Sequence, residues 1–117
     1  MKGILFYFTL LILFNSCELK VKEISKPKDL IAKDTMVVIL EEIMIVENYI
    51  QERYPNIYQF KESVKKSGDR ILNKHHVSFK RFNESIDYYG SHQDMMKEIY
   101  NKVLEKMNGK LNRLQAE

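Results

Sequence analysis

Apolar side chains return every three or four residues along most of this chain, which is the spacing of one face of an α-helix. The clearest run predicts a first helix over residues 34–53, with Asp34 as its N-cap. We expect it to end at Tyr54, because a residue that precedes a proline is disfavoured in the helical conformation. Its apolar face comprises Met36, Ile39, Leu40, Ile43, Val46 and Ile50. No stretch alternates with a period of two over enough residues to require a β-strand.

A second helix is predicted after Asn56, which forms a capping-box pattern with Gln59. Its apolar stripe comprises Ile57, Phe60, Val64, Gly68 and Ile71. A glycine inside a helix costs about 1 kcal/mol relative to alanine. We therefore expect Gly68 to lie at a contact where another helix crosses closely.

Two more helices follow from their capping signals. Ser78 is the expected N-cap of a short third helix over residues 79–89, which Gly90 ends. Ser91 is the expected N-cap of a fourth helix, which residues 108–109 (Asn-Gly) end or weaken. The chain of 117 residues has room for one small domain. The sequence therefore predicts an all-α fold, a small bundle of about four helices.

The start of the chain has the composition of a secretory signal peptide. Lys2 precedes an apolar run from Ile4 to Phe14, which only Thr9 interrupts. As a helix, this run of about eleven residues reaches roughly 16 Å, about half the 30 Å of a hydrocarbon core. We therefore predict a cleaved signal over residues 1–16 rather than a membrane-spanning helix.

The end of this segment, Leu13-Phe14-Asn15-Ser16-Cys17, resembles a lipobox, the cleavage and acylation signal of bacterial lipoproteins. The resemblance implies that lipid is added to the thiol of Cys17 and that the chain is cut before it. Two or more acyl chains, such as palmitate, suffice for stable membrane attachment. Two alternatives stay open: an ordinary signal peptide with a chance cysteine, and an uncleaved anchor.

The predicted organisation has four parts. A lipoprotein signal peptide (1–16) precedes a flexible tether (17–26), which is polar and carries no helix or turn signal. The helical domain is expected over residues 27–108, and a frayed C-terminal tail over residues 109–117.

Composition excludes several classes of function. Nineteen basic and sixteen acidic residues leave a net charge of +3, too small a balance to suggest a nucleic-acid partner. The single cysteine excludes an internal disulfide framework and a multi-cysteine zinc site. His75 and His76 are adjacent and diverge, and His92 has no spaced partner, so we predict no metal site. The chain has no glycine-rich phosphate loop, and we predict no cofactor.

The candidate binding residues are two glutamates of the first helix and three tyrosines. Glu47 lies near the apolar stripe, and we expect it to be partly buried and to need a hydrogen-bond partner. Tyr88, Tyr89 or Tyr100 is the expected donor, and we favour this structural role over acid–base catalysis. Glu42 lies five residues before Glu47, so the two do not form an obvious carboxylate pair. A groove between helices is where we expect a ligand.

Several stretches carry a family resemblance: Pro27–Ile31, Met36–Glu42 with Glu47, Ile71–His75, Phe82–Tyr89 and Ile99–Leu104. The most specific part is Ser85-x-x-Tyr88-Tyr89, which a short gap separates from Ile99-Tyr100. The chain resembles a family of short lipoproteins from Bacteroidota, catalogued as domain of unknown function 4296, over about residues 27–106. The resemblance implies an exported, lipid-anchored helical domain and no assigned reaction. His76 stands where the family often has glycine, which questions whether the turn there is kept.

These observations lead to an expected role in the cell envelope. We expect a non-enzymatic lipoprotein, attached through Cys17 to a membrane, with the outer membrane favoured. Its helical domain would lie in the periplasm or at the cell surface and bind a protein or peptide partner that the sequence does not identify. One alternative is a chaperone-like or assembly factor for outer-membrane clients. Another is an enzyme that uses Glu42 or Glu47 with a tyrosine.

Overall fold

The computed structural model describes residues 1, 3, 22–54 and 56–116. Within residues 22–116 it contains α1 (Lys33–Arg53), α2 (Ile57–Lys74), α3 (Phe79–Ser91) and α4 (Gln93–Gln115), and the described residues form no β-strand. The predicted all-α class and the bundle of four helices are confirmed. Cys17, nearly all of the predicted signal segment and the first part of the tether lie outside the described residues. The four predicted segment boundaries stay predictions.

The helix α1 lies between α2 and α4 and packs against both. It therefore buries a wider surface than the single stripe that the sequence pattern predicts. A second face, which contains Val37 and Glu41, is buried as well. Complete burial of a side chain such as Ile39 contributes about 1.5–3 kcal/mol. The helix α3 packs against α4 and, less extensively, against α2.

An N-terminal strap, residues 24–31, is attached to α3 by side chains. The backbone N–H of Ile31 donates to the hydroxyl of Ser85 at 3.0 Å, and its carbonyl accepts from the hydroxyl of Tyr89 at 2.6 Å. Both hydrogen bonds are buried. Ser85 and Tyr89 are four residues apart on α3 and thus share one face of the helix. They satisfy both polar groups of one buried peptide position.

Two further contacts hold the strap upstream of Ile31. The side chain of Arg81 donates from Nε to the carbonyl of Asp29 at 3.0 Å and lies 3.1 Å from its carboxylate. The backbone N–H of Ile24 donates to the hydroxyl of Ser91 at 3.1 Å. Residues 22–26, which belong to the predicted tether, are exposed and have no regular secondary structure.

The beginnings of the first two helices differ in how well the sequence predicts them. The prediction of Asp34 as an N-cap is wrong, because α1 begins one residue earlier and Ala32 occupies that position without a side-chain bond. The strap contacts on Ile31 place the turn into the helix directly after it. Asn56 is confirmed as the N-cap of α2, since its side chain accepts from the backbone N–H of Tyr58 at 2.9 Å.

The junction between α3 and α4 is tighter than predicted. Ser78 is confirmed as the N-cap of α3. The predicted end at Gly90 is wrong, since α3 continues to Ser91. Ser91 is also not the N-cap of α4, because His92 occupies that position and the Ser91 hydroxyl donates back to the carbonyl of Tyr88. A single non-helical residue therefore separates the two helices.

Of the two effects predicted for residues 108–109, an end of the last helix is wrong and a weakening of it stays a prediction. The helix α4 runs through Asn108 and Gly109 to Gln115. One glycine costs about 1 kcal/mol of helix propensity, which tertiary contacts can offset. Here Lys106 and Lys110, on both sides of the Asn-Gly pair, contact Glu41 of α1. Fraying of residues 109–117 stays a prediction.

Candidate functional site

The five predicted binding residues do not meet in one place. Tyr88 and Tyr89 are buried on α3, where they pack edge to face with ring centroids 5.6 Å apart. The hydroxyl of Tyr89 is used by the strap, and burial, with a smaller effect from Tyr88, raises the pKa of its phenol, so it stays a donor. Tyr100 is exposed on α4. Glu42 and Glu47 lie on α1, and neither hydrogen bonds to a described tyrosine.

Glu42 joins α1 to the end of α2. Its Oε1 lies 2.9 Å from Lys74 Nζ and 3.2 Å from His75 Nε2. Partial burial acts to raise the pKa of this carboxyl, but the hydrogen bonds and charges of Lys74 and His75 outweigh it and leave the pKa below its usual range. An ionised, paired carboxylate at this position is a structural contact between two helices.

The buried glutamate of α1 is Glu41, and the expectation that Glu47 is partly buried is wrong. Glu47 is exposed, whereas only 3% of the Glu41 side chain is exposed. The sequence contained a signal for this. Val37 lies four residues before Glu41 and Met44 three residues after it, so apolar side chains flank Glu41 on its own helical face.

Two lysines of α4 neutralise this buried carboxylate. Lys110 Nζ lies 2.6 Å from Oε1 of Glu41, and Lys106 Nζ lies 3.6 Å from Oε2. Oε1 accepts no hydrogen bond from the described residues, so the Lys110 contact is an ion pair with an angle outside hydrogen-bonding geometry. Both lysine side chains remain about half exposed. The cluster holds α4 on α1 and offers no access for a ligand to the carboxylate.

A groove lies between the second half of α1 and α2. Its cavity is about 370 Å³, open to solvent. It is lined by Val46, Tyr49 and Ile50 of α1, by Tyr54 directly after this helix, and by Ser63, Lys66, Ser67, Arg70 and Ile71 of α2. A narrow crevice that includes Ile43, Glu47 and Gly68 continues it and shares Val46, Ser67 and Ile71 with it.

Small residues of α2 account for this space. A methyl group placed on Gly68 would meet no atom within 4 Å, so the predicted close crossing of another helix at this glycine is wrong. Ser63 and Ser67 lie one helical turn apart and are equally small. Because these side chains are small, they leave a gap between the two helices that larger side chains would fill.

Aromatic and cationic side chains form the rim of the groove. The side chains of Tyr49 and Tyr54 are exposed there. The guanidinium of Arg53 lies 5.8 Å from the ring centre of Tyr49 and donates to its hydroxyl at 3.0 Å, which restricts this ring. Lys66 and Arg70 form the opposite rim. None of these residues is among the five predicted binding residues, although the small residues at helical spacing on α2 are a signal for a groove.

Two general properties of the described part of the chain bear on function. No helix among these residues has the length and apolar character needed to cross a bilayer. The same residues contain no group of three His, Cys, Asp or Glu side chains arranged to hold a metal ion.

Comparison with known proteins gives one match. The family model described as Domain of unknown function (DUF4296) matches residues 27–113. No curated protein and no solved structure matches the chain. The matched range begins within the strap, includes α1, α2 and α3 entirely and ends two residues before the end of α4. The protein therefore belongs to the family of domain of unknown function DUF4296.

Proposed function

We propose that this protein is a non-enzymatic, lipid-anchored module of the cell envelope that binds a protein or peptide in the groove between α1 and α2. Lipid on Cys17 would attach it to a membrane, the outer membrane being favoured. The helical domain would then lie in the periplasm or at the cell surface. The resemblance of residues 13–17 to a lipobox supports the anchor.

The groove is the observation that carries the binding role. Its floor is mostly apolar, with Val46, Ile50 and Ile71, and its rim carries two exposed tyrosines. Tyrosine and arginine are enriched among the residues that dominate protein interfaces, because they combine a large apolar area with polar groups. Binding of an apolar side chain in such a cleft is favourable, because it removes apolar surface of both partners from water.

The surroundings of the glutamates support a binding role over an enzymatic one. A general acid at neutral pH needs a raised pKa, whereas Lys74 and His75 lower the pKa of Glu42. Glu47 is exposed, and Tyr89 uses its hydroxyl in the strap.

The anchor can be tested separately from the groove. We expect intact-mass analysis of the protein from its native membranes to show a chain that begins at Cys17 and carries added acyl mass. The Cys17→Ala variant should leave the membrane fraction. A mature chain that retains Met1 or lacks acyl mass would refute the lipid anchor.

The groove can be tested by placing a photoreactive amino acid at single positions of the native, lipidated protein. At Ser67, which lines the groove, we expect a specific crosslinked product. At Glu105, which is exposed on α4, we expect none of that product. Equal crosslinking of one partner at both positions would show that the groove is not the binding site.

A second candidate is a chaperone-like or assembly factor for outer-membrane clients. One observation favours it: the end of the α1–α2 pair exposes Tyr49, Ile57 and, to 81%, Tyr58. Exposed apolar side chains around an open cleft suit unfolded chains. This candidate predicts that equimolar protein suppresses aggregation of a denatured outer-membrane protein on dilution from urea. No suppression at a large excess would exclude it.

A further inference from the structure

We infer that the groove between α1 and α2 takes a peptide segment in which an apolar side chain is flanked by carboxylates. This inference rests on the proposed binding role and adds the chemistry of the ligand. It follows from the charge, the open shape and the polar groups of the groove.

The charges of the groove are cationic on the α2 side. The five cations of α2 are Lys61, Lys65, Lys66, Arg70 and Lys74, and its two carboxylates are Glu62 and Asp69. Lys66 and Arg70 line the cavity, whereas the acidic Glu47 lines only the narrow crevice that continues it. Two positive charges at the edge of an apolar cleft attract a ligand that carries negative charge next to its apolar group.

The existing ion pair of Lys66 leaves this charge accessible. Its Nζ lies 2.8 Å from Glu62, one helical turn earlier. The two side chains are 70% and 67% exposed, so water screens their attraction and the pair is weak. A carboxylate of a ligand can therefore compete for Lys66. Arg70 makes no ion pair with a described residue.

The shape and the polar groups of the groove favour a peptide over an acyl chain. An acyl chain needs an enclosed apolar cavity, because each methylene that stays in water contributes nothing to binding. This groove is open along its length and presents the hydroxyls of Ser63 and Ser67 beside its apolar floor. Hydroxyls there can pair with the N–H and C=O groups of a peptide backbone, which an acyl chain lacks. The rigid ring of Tyr49 adds an apolar wall with a polar tip.

The test uses the full chain in nanodiscs of zwitterionic lipid and two fluorescent peptides. Both peptides have the same length and the same leucine-phenylalanine core, but one is flanked by glutamates and the other by lysines. We expect the acidic peptide to bind at least about tenfold more tightly, and its affinity to fall as salt is added. Lys66→Glu/Arg70→Glu should weaken it at least about tenfold. The matched control is Lys61→Glu/Lys65→Glu, which makes the same charge change outside the groove and should keep most of the affinity.

Each other outcome overturns a defined part of the argument. If the lysine-flanked peptide binds the groove as well as the acidic one, the inferred chemistry is wrong and the proposed binding role stands. If neither peptide binds and Ser67→Trp changes none of the crosslinks between the native protein and its partners, the inferred ligand chemistry and the proposed binding role are both wrong. If neither peptide binds but vesicles with anionic lipid do, and Lys66→Glu/Arg70→Glu abolishes that binding, the site takes lipid headgroups instead. Circular dichroism of each variant verifies that it is folded.

Discussion

The backbone of His76 has a left-handed conformation, with φ 54°, at the end of α2. The N–H of Val77 donates to the carbonyl of Leu72 at 2.9 Å and that of His76 to the carbonyl of Asn73 at 3.1 Å, which together form a Schellman motif. The apolar residues Leu72 and Val77 are buried together in the core. His76 therefore takes the left-handed position of this turn, where glycine would carry no steric cost.

His76→Gly should consequently stabilise the protein by about 1 kcal/mol. A side chain in this conformation costs roughly 1–2 kcal/mol, and the greater conformational entropy of glycine in the unfolded chain offsets part of the gain from its removal. Urea unfolding measures this as a higher midpoint at an unchanged slope. His76→Ala is the control, because it removes the imidazole but keeps the strained Cβ. If alanine stabilises as much as glycine, the gain comes from loss of the ring and not from relief of the backbone.

Glu42 makes the stability of the fold depend on pH. Its partial burial acts to raise the pKa of the carboxyl, but the lowering by Lys74 and His75 is larger. The pKa in the folded state therefore lies below the ordinary value of 4.5. Such a group stabilises the fold above its unfolded pKa. The contribution is lost as the pH falls through the lower, folded pKa.

We therefore expect Glu42→Gln to lower the free energy of unfolding by about 0.5–1 kcal/mol at pH 7, as for a partly exposed ion pair. The difference from the wild type should shrink as the pH falls below 4.5 and vanish once the wild-type carboxyl is protonated. Urea unfolding across a pH series measures it. Glu47→Gln is the control, because Glu47 is exposed and should give no such curve. A difference for Glu42→Gln that persists in acid would contradict an ionic origin.

At the scale of helices, the position of α1 between two others decides which of its buried faces the sequence can predict. The spacing of Met36, Ile39 and Ile50 identified the helix and its main face. It did not identify the second buried face, because packing against α4 as well as α2 is a property of the fold. A glutamate in an apolar stripe is ambiguous in a sequence, since its burial depends on whether a neighbouring helix brings cations. Lys106 and Lys110 lie far away in the sequence, and only the fold brings them to Glu41.

The Glu41 cluster should respond asymmetrically to substitution. Lys106→Met/Lys110→Met leaves a buried carboxylate without a counter-charge and should cost about 3 kcal/mol. Glu41→Met should stay within about 1 kcal/mol of the wild type or stabilise the protein, because the half-exposed lysines return to water. Urea unfolding of both variants checks the order. Equal costs for the two would show that the lysines contribute through their packing and not through their charge.

The hydrogen bonds between the strap and α3 should also contribute to stability. Ser85→Ala leaves the N–H of Ile31 without its partner, and Tyr89→Phe leaves its carbonyl without one, so each should cost about 1–3 kcal/mol. Tyr88→Phe is the matched control, because its hydroxyl makes no hydrogen bond to the strap and its ring is retained. Thermal unfolding of the three variants checks this. A loss for Tyr88→Phe as large as for Tyr89→Phe would contradict the role given to the strap.

At the scale of the whole molecule, the fold class can be predicted from the sequence, whereas the groove cannot. Spacing and caps such as Asn56 and Ser78 are local, so four helices were predictable. The groove is not local, because it arises where small residues of α2 face α1. The helix α1 has 21 residues and is about 30 Å long. The strap meets its beginning and the groove lies along its second half, so the N-terminal attachment and the groove belong to opposite ends of α1.

This separation leads to a prediction about height above the membrane, which depends on lipid at Cys17. Because Ser91 holds Ile24, the six residues 18–23 lie between Cys17 and the first attached point, a reach of at most about 25 Å. We expect a dye at Asp94→Cys, beside this point, to transfer energy efficiently to acceptor lipids in nanodiscs. A flexible glycine-serine insertion between Lys22 and Glu23 should lower the transfer, because it lengthens the connection and leaves the strap intact. The same insertion after Ala116 should not change it. If both insertions have no effect, the domain rests on the bilayer through its own surface and the length of this connection does not set its height.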